Sequence, residues 1–206
     1  MYKYIIFDVD GTIIDTEEAV LKSLQAVLEE QGHEYELNDL RFALGIPGKN
    51  TLRRLNVNDI DRVHPRWAQL QLEFSDDVTV FSEMEEVIQH LAERVNLGIV
   101  TSKTSQELID EFDPFGLSKH FEHSISADDT EKHKPEPDPL LLCMERMNAE
   151  PNQTIYIGDS VYDMQSAQKA GIKFGLALWG SKTSDKFEEA DYIFEEPKDI
   201  LKLLDS

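Results

Sequence analysis

The stretch Tyr4-Ile5-Ile6-Phe7-Asp8-Val9-Asp10-Gly11-Thr12 limits the possible folds of this chain more than any other. Its apolar run without a polar break reads as a strand buried on both faces, as found inside parallel sheets. The run stops at two aspartates one residue apart. Open α/β sheets bind ligands beyond the carboxyl ends of their strands, so the acid pair falls where chemistry is done. Two carboxylates this close repel each other unless a cation or a shared proton lies between them. The pair therefore points to a metal-assisted site with an aspartate nucleophile.

Similar runs recur later. Leu97-Gly98-Ile99-Val100-Thr101, Ser124 to Ala127, Thr154-Ile155-Tyr156-Ile157-Gly158, Phe174 to Leu178 and Tyr192-Ile193-Phe194 read as strands. Helical patterns separate them. Met84, Val87, Ile88 and Leu91 line one face behind a Ser82/Glu85 capping box, and Thr104 and Glu107 box the next helix, closed near Gly116. Further helices are expected from Pro139 to Met147, from Val161 to Ala170 before Gly171, and after Pro197. This alternation predicts an α/β fold: a Rossmann-like, doubly wound parallel sheet with right-handed crossovers.

The segment between the first two strands is different. Asp15 or Thr16 can cap a helix, with Glu18 placed to complete a capping box from Asp15, and an apolar stripe of Val20, Leu21, Leu24, Val27 and Leu28 follows until Gly32 stops it. Helices are expected over Asp39 to Leu44, around Thr51 to Leu55, and from about Pro65, in the first turn, to Phe74. No strand pattern stands between Thr16 and about Asp77. The expectation is an inserted all-helical cap over residues 16–79 on a core of residues 1–15 and 80–206.

A charge of −21, from 41 acidic and 20 basic residues, argues against a nucleic-acid partner. The single cysteine, Cys143, excludes an intrachain disulfide and lies in an apolar run, as a packed thiol would. Tyr4 to Phe7 is too short for a signal peptide core, and no run reaches membrane length. A cytoplasmic protein with no membrane partner is expected, as a monomer or a homodimer.

In a parallel sheet the strand tips share one edge, so Asp8, Asp10, Thr101-Ser102-Lys103, Lys134-Pro135 and Gly158-Asp159-Ser160 can converge on one crevice. Carboxylates gathered there need a divalent cation, and magnesium suits an all-oxygen ligand set. The six histidines show no paired metal-ligand spacing, so no zinc site is inferred.

These segments resemble, in order, spacing and strand context, the four motifs of the haloacid dehalogenase superfamily, specifically its magnesium-dependent phosphatases with a small helical cap. Asp8-Val9-Asp10-Gly11-Thr12 matches the first motif, Thr101 the second, Lys134 with Pro135 the third, and Gly158-Asp159-Ser160 with Asp163 the fourth. The resemblance implies that Asp8 attacks phosphorus and that Asp10 serves as general acid and base. Asp8, Asp159 and the Asp10 carbonyl would hold Mg2+, with Asp163 acting through water. Thr101 and Lys134 would stabilise the transferring group. Gly11, Ser102 and Lys103 are the further candidates for substrate contact, although Lys103 could equally be solvated. The cap loop Gly45 to Asn50 is the segment expected to reach the site, with Lys49 or Arg53 either holding an anionic leaving group or facing solvent.

The implied function is hydrolysis of a small phosphorylated metabolite through an aspartyl phosphate, as in phosphoglycolate phosphatases and related pyrophosphatases. The family's dehalogenases lack an acid where Asp10 stands, which favours phosphoryl transfer. A β-phosphoglucomutase-like mutase shares the catalytic set and remains an alternative. A receiver-type signalling domain also gathers acids, a threonine and a lysine-proline pair, but has no counterpart of the helical insertion. One departure from the pattern is Phe81-Ser82-Glu83, where such phosphatases often carry proline and glycine at the return from the cap.

Overall fold

The computed structural model describes residues 2–204. In chain order the elements are β1 (Tyr4–Phe7), β2 (Ile14–Asp15), α1 (Glu17–Glu30), α2 (Leu37–Leu40), α3 (Gly48–Arg54), α4 (Ile60–Glu73), β3 (Thr79–Val80), α5 (Met84–Ala92) and β4 (Asn96–Val100). Then follow α6 (Ser105–Glu111), β5 (His123–Ile125), α7 (Asp138–Met147), β6 (Thr154–Gly158), α8 (Val161–Ala170), β7 (Lys173–Ala177), α9 (Leu178–Ser181) and β8 (Tyr192–Phe194). A 3-10 helix over Pro197–Leu204 closes the described chain.

Six strands form one parallel sheet in the order β5-β4-β1-β6-β7-β8. β1 is central, with Phe7 opposite Ile99 on one side and Ile157 on the other. The residues after Phe7, Val100 and Gly158 therefore emerge at the same edge, where the chain order reverses and a crevice opens. Alternate residues feed two cores. Ile5, Phe7, Ile99 and Ile157 pack with α5 on one face, while Ile6, Val100, Tyr156 and Phe174 pack with α7 and α8 on the other. Two covered faces explain why these strands lack polar alternation.

The helices α1 to α4 bury their stripes in a third cluster of Leu24, Leu28, Leu40, Leu52, Val63, Trp67 and Leu70. Inside it the Trp67 indole N–H donates to Ser23 Oγ at 2.9 Å, which satisfies both buried polar groups. The chain leaves the sheet and returns through an antiparallel ribbon pairing Ile14 with Val80 and Asp15 with Thr79. Two-residue strands carry too little periodicity to stand out in a sequence.

Other local expectations need correction. Of the two N-cap candidates for α1, Thr16 holds the position; the Asp15/Glu18 capping box is absent, and Asp15 Oδ1 accepts the Glu17 N–H at 3.2 Å. The Ser82/Glu85 box is absent too. Glu83 caps α5 from the left-handed region at φ +68°, without a side-chain hydrogen bond. Helix α4 starts at Ile60, which puts Pro65 inside it rather than in its first turn. The helix survives because the buried stripe of Val63, Trp67 and Leu70 holds it, and the carbonyl left unpaired belongs to exposed Asp61. The helix expected over Asp39 to Leu44 is α2 followed by a 3-10 turn, Arg41–Ala43. Among the described residues, no helix is long and apolar enough to cross a membrane.

Candidate active site

Asp8 continues the β1 ladder by donating its N–H to Ile157 O at 2.9 Å, and its side chain is 2% exposed. Asp159 emerges one strand away. Between them the chain turns at Gly11, φ +74°, where a Cβ would lie 2.3 Å from Asp159 Oδ2. Only glycine allows that backbone and that approach. From the other side Gly180 of α9 presses on the same turn; a Cβ there would lie 1.7 Å from Gly11 O. The Trp179 indole N–H fixes this contact by donating to Thr12 O at 3.0 Å.

Asp163 arrives because α8 opens with a capping box. Its N–H donates to Ser160 Oγ at 3.2 Å, and Oδ2 accepts the Ser160 N–H at 3.0 Å and its hydroxyl at 2.6 Å. Oδ1 accepts from Lys134 Nζ at 2.7 Å and from the Tyr156 hydroxyl at 2.9 Å. Both carboxylate oxygens are thus taken by protein donors, which fits a role outside direct metal ligation. Lys134 Nζ also lies 3.0 Å from Asp8 Oδ1.

Carboxylate oxygens of Asp8, Asp159 and Asp163 lie within 4.8 Å of one another. Burial pushes the Asp8 carboxyl up to about 7, although the Lys134 ammonium pulls it down. Asp159 is held well above the usual carboxylate range by burial and by the nearby Asp163 and Asp8 charges. Burial works to lower Lys134, but Asp163 and Asp8 outweigh it and keep the ammonium charged. Burial and Asp163 push the Tyr156 phenol up, so it stays a neutral hydroxyl. Three carboxyl groups stand against one ammonium, too many to ionise together without a further cation, and they offer oxygen donors only. That donor set fits a hard divalent cation such as magnesium.

Asp10 stands outside this cluster. Its Oδ1 is 3.0 Å from Lys103 Nζ, an ion pair rather than an aligned hydrogen bond. Lys103 is not solvated; its side chain is 6% exposed, clamped between Asp10 and Glu111 of α6. Glu111 in turn accepts from Gln71 of α4 at 3.3 Å. Glu111 gave no signal in the sequence, because nothing local marks a helix carboxylate that turns inward. Thr101 is buried after β4, its N–H bonded to Ile125 O at 3.0 Å and its Oγ1 accepting the Lys103 N–H at 3.2 Å.

A cavity of about 450 Å³ lies between the sheet edge and the helices. Asp8, Asp10, Gly11, Ser102, Lys103 and Asp159 line its floor; Thr101 and Lys134 are buried and off its wall. The loop expected to reach the site does so: Gly45 and Ile46 line the cavity, and Gly45 O accepts from Ser102 Oγ at 3.3 Å. Lys49 does not. Its ammonium is half exposed and pairs with Asp61 at 3.1 Å, and Arg53 turns to Asn50 Oδ1 at 2.6 Å. The cavity's basic groups besides Lys103 are instead Arg41, Arg54, Lys182, Lys186 and His64. Arg41 and Lys182 both pair with Glu17, the latter at 2.9 Å, and Arg54 lies over the Phe42 ring at 4.4 Å. These groups are scattered through the sequence, and only the packing of the helices on the sheet brings them together.

The family model for haloacid dehalogenase-like hydrolases matches residues 5–177. A protein of Caldanaerobacter subterraneus, provisionally named pyrophosphatase PpaX, is 31% identical over 205 residues, covering 97% of this chain and 93% of its own length. Pyrophosphatase PpaX of Oceanobacillus iheyensis is 28% identical over 204 residues, with 97% and 95% covered. A crystal structure of a provisionally assigned phosphoglycolate phosphatase from Lactobacillus plantarum superposes with a TM-score of 0.90 at 29% identity, covering 98% of this chain and 99% of that one. The match runs from β1 through β7 and so takes in every strand tip of the crevice. The chain belongs to the haloacid dehalogenase-like hydrolase family.

Proposed function

We propose that this hydrolase removes phosphate from a small phosphorylated metabolite, with magnesium, through an aspartyl phosphate on Asp8. The observation that carries the reading is the cluster of Asp8, Asp159 and Asp163, with the buried Lys134 ammonium paired to Asp8 and Asp163. Asp8, Asp159 and the Asp10 carbonyl would hold the ion, which would neutralise negative charge on the nucleophile and the phosphoryl group. Asp8 attacks phosphorus, and the ester oxygen departs with a proton from Asp10. Asp10 then takes a proton from water as the water attacks the acyl phosphate, releasing phosphate and restoring Asp8. Lys134 offsets charge on Asp8 and on the transferring group, while Thr101, Ser102 and the Gly11 turn position its oxygens.

We assign residues 16–79 as a cap on a core of residues 1–15 and 80–206. Packing of α1 to α4 around their own cluster and over the crevice supports this. A cap there excludes water during transfer and contributes the wall that the leaving group meets. Pyrophosphate and phosphoglycolate, which stand in the relatives' names, are the first substrates to try. The test is phosphate release from pyrophosphate, phosphoglycolate and sugar phosphates, with magnesium and with chelator. Magnesium-dependent release that Asp8→Asn abolishes is expected. Full turnover in Asp8→Asn would sink the nucleophile assignment, and isomerisation without phosphate release would replace hydrolase activity with a mutase.

A further inference from the structure

Behind the crevice, one fully buried polar atom has no part in the chemistry above: the hydroxyl of Tyr156, in the middle of β6. An ammonium carries three N–H donors at tetrahedral angles to one another. Lys134 Nζ has three partners, Asp163 Oδ1 at 2.7 Å, Asp8 Oδ1 at 3.0 Å and Tyr156 OH at 3.1 Å. The Tyr156 oxygen also has Val100 O within 3.0 Å and Asp163 Oδ1 within 2.9 Å as acceptors for its single proton. Val100 immediately precedes Thr101. One oxygen therefore joins the Lys134 loop, the tip of β4 and the first turn of α8, all beneath Asp8.

Packing does not require that oxygen. The ring lies in the sheet core with Phe174, centroids 6.5 Å apart, where phenylalanine would fill the same space. A hydroxyl buried there costs stability unless it is bonded, so its bonds account for its presence. We propose that Tyr156 is a positioning residue for the reaction: its hydroxyl accepts the third Lys134 N–H and so aims the ammonium at Asp8. Without it, the ammonium is held by two carboxylates alone and is drawn toward the nearer one, Asp163, and away from the nucleophile. The consequence for rate rests on the role of Lys134 proposed above; the hydrogen bond itself does not.

The test is Tyr156→Phe, with Phe174→Leu as a control that disturbs the same packing and leaves the hydroxyl in place. With p-nitrophenyl phosphate and saturating magnesium, kcat of Tyr156→Phe is expected to fall by about 10- to 100-fold, with KM within about twofold. Phe174→Leu is expected to melt lower while kcat stays within about twofold of wild type. A second readout needs no substrate. In protein labelled with 15N-lysine, the Lys134 ammonium signal, assigned by its absence in Lys134→Met, is expected to be protected from exchange in wild type. In Tyr156→Phe it should shift or broaden away. An unchanged ammonium signal, or an unchanged kcat, in Tyr156→Phe overturns the proposal, as does an equal kcat loss in Phe174→Leu. If wild type releases phosphate from no monoester, the proposed function fails, and the ammonium signal still decides whether Tyr156 holds Lys134.

Discussion

Replacing Asp8 by asparagine should stabilise the metal-free protein while ending its turnover. The variant keeps the shape of the side chain and removes its charge. Without a divalent cation the folded Asp8 carboxyl titrates at about 7, against 3.8 for an exposed aspartate, with burial as the main cause. A carboxyl raised in this way keeps its proton in the folded state after the unfolded chain has lost it. Stability therefore falls as pH climbs from about 4 through about 7 and then levels off. A gap of about 3 pK units corresponds to about 4 kcal/mol at the upper end of that window. Asparagine never ionises, so it escapes this cost, and Lys134 keeps Asp163 as counter-ion at 2.7 Å. Urea and thermal unfolding of both proteins in EDTA would measure the gap. Near pH 8 the variant should gain a few kcal/mol, at about 2–4 °C in melting temperature per kcal/mol for a chain of this size. Near pH 5 the gain should shrink to less than half, and magnesium should raise the melting temperature of wild type more than that of the variant. If Asp8→Asn in EDTA near pH 8 is no more stable than wild type, the buried charge at Asp8 is not the burden described.

Other substitutions probe the frame of the site. Lys134→Met leaves Asp8 and Asp163 without their shared cation and should cost about 3–5 kcal/mol in urea unfolding near neutral pH. Gly180→Ala puts a Cβ 1.7 Å from Gly11 O, so backbone must move; a loss of about 1–3 kcal/mol with a lower phosphate release rate is expected. Glu83→Gly relieves a left-handed backbone at φ +68°. Against glycine's extra chain entropy and the lost exposed pair with Lys198, a net gain of about 0.5 kcal/mol is expected, with activity unchanged.

What the sequence made legible follows physical range. β6, α8 and β8 were placed to the residue, because their patterns are bounded by local signals such as Gly171 and the strand-end polar groups. The crevice residues Asp8, Asp10, Ser102, Lys103 and Asp159 were also legible, since a parallel sheet forces its tips together. The Thr104/Glu107 capping box is present, whereas the Asp15/Glu18 and Ser82/Glu85 boxes fail where tertiary structure intervenes. Asp15 is held in the ribbon with Thr79, and Glu83 rather than Ser82 meets the start of α5. Of the two settings open to Lys49, the solvent-facing one holds, and the choice between them is not legible for a related reason. Its partner Asp61 lies on another helix, and no sequence spacing reveals which side of a loop faces a cavity. Arg54, His64 and Lys182 were overlooked on the same grounds.

The short ribbon of β2 and β3 has a consequence for how such a chain can change over time. Ile14 and Val80 are paired neighbours, so the path out of the sheet and the path back lie about 5 Å apart. Everything between them is a detour that begins and ends at nearly one point. A replacement of any length, with ends that meet the same gap, would leave β1, its aspartates and the rest of the sheet undisturbed. The sheet with its aspartates, and whatever is spliced into that gap, can therefore be inherited separately.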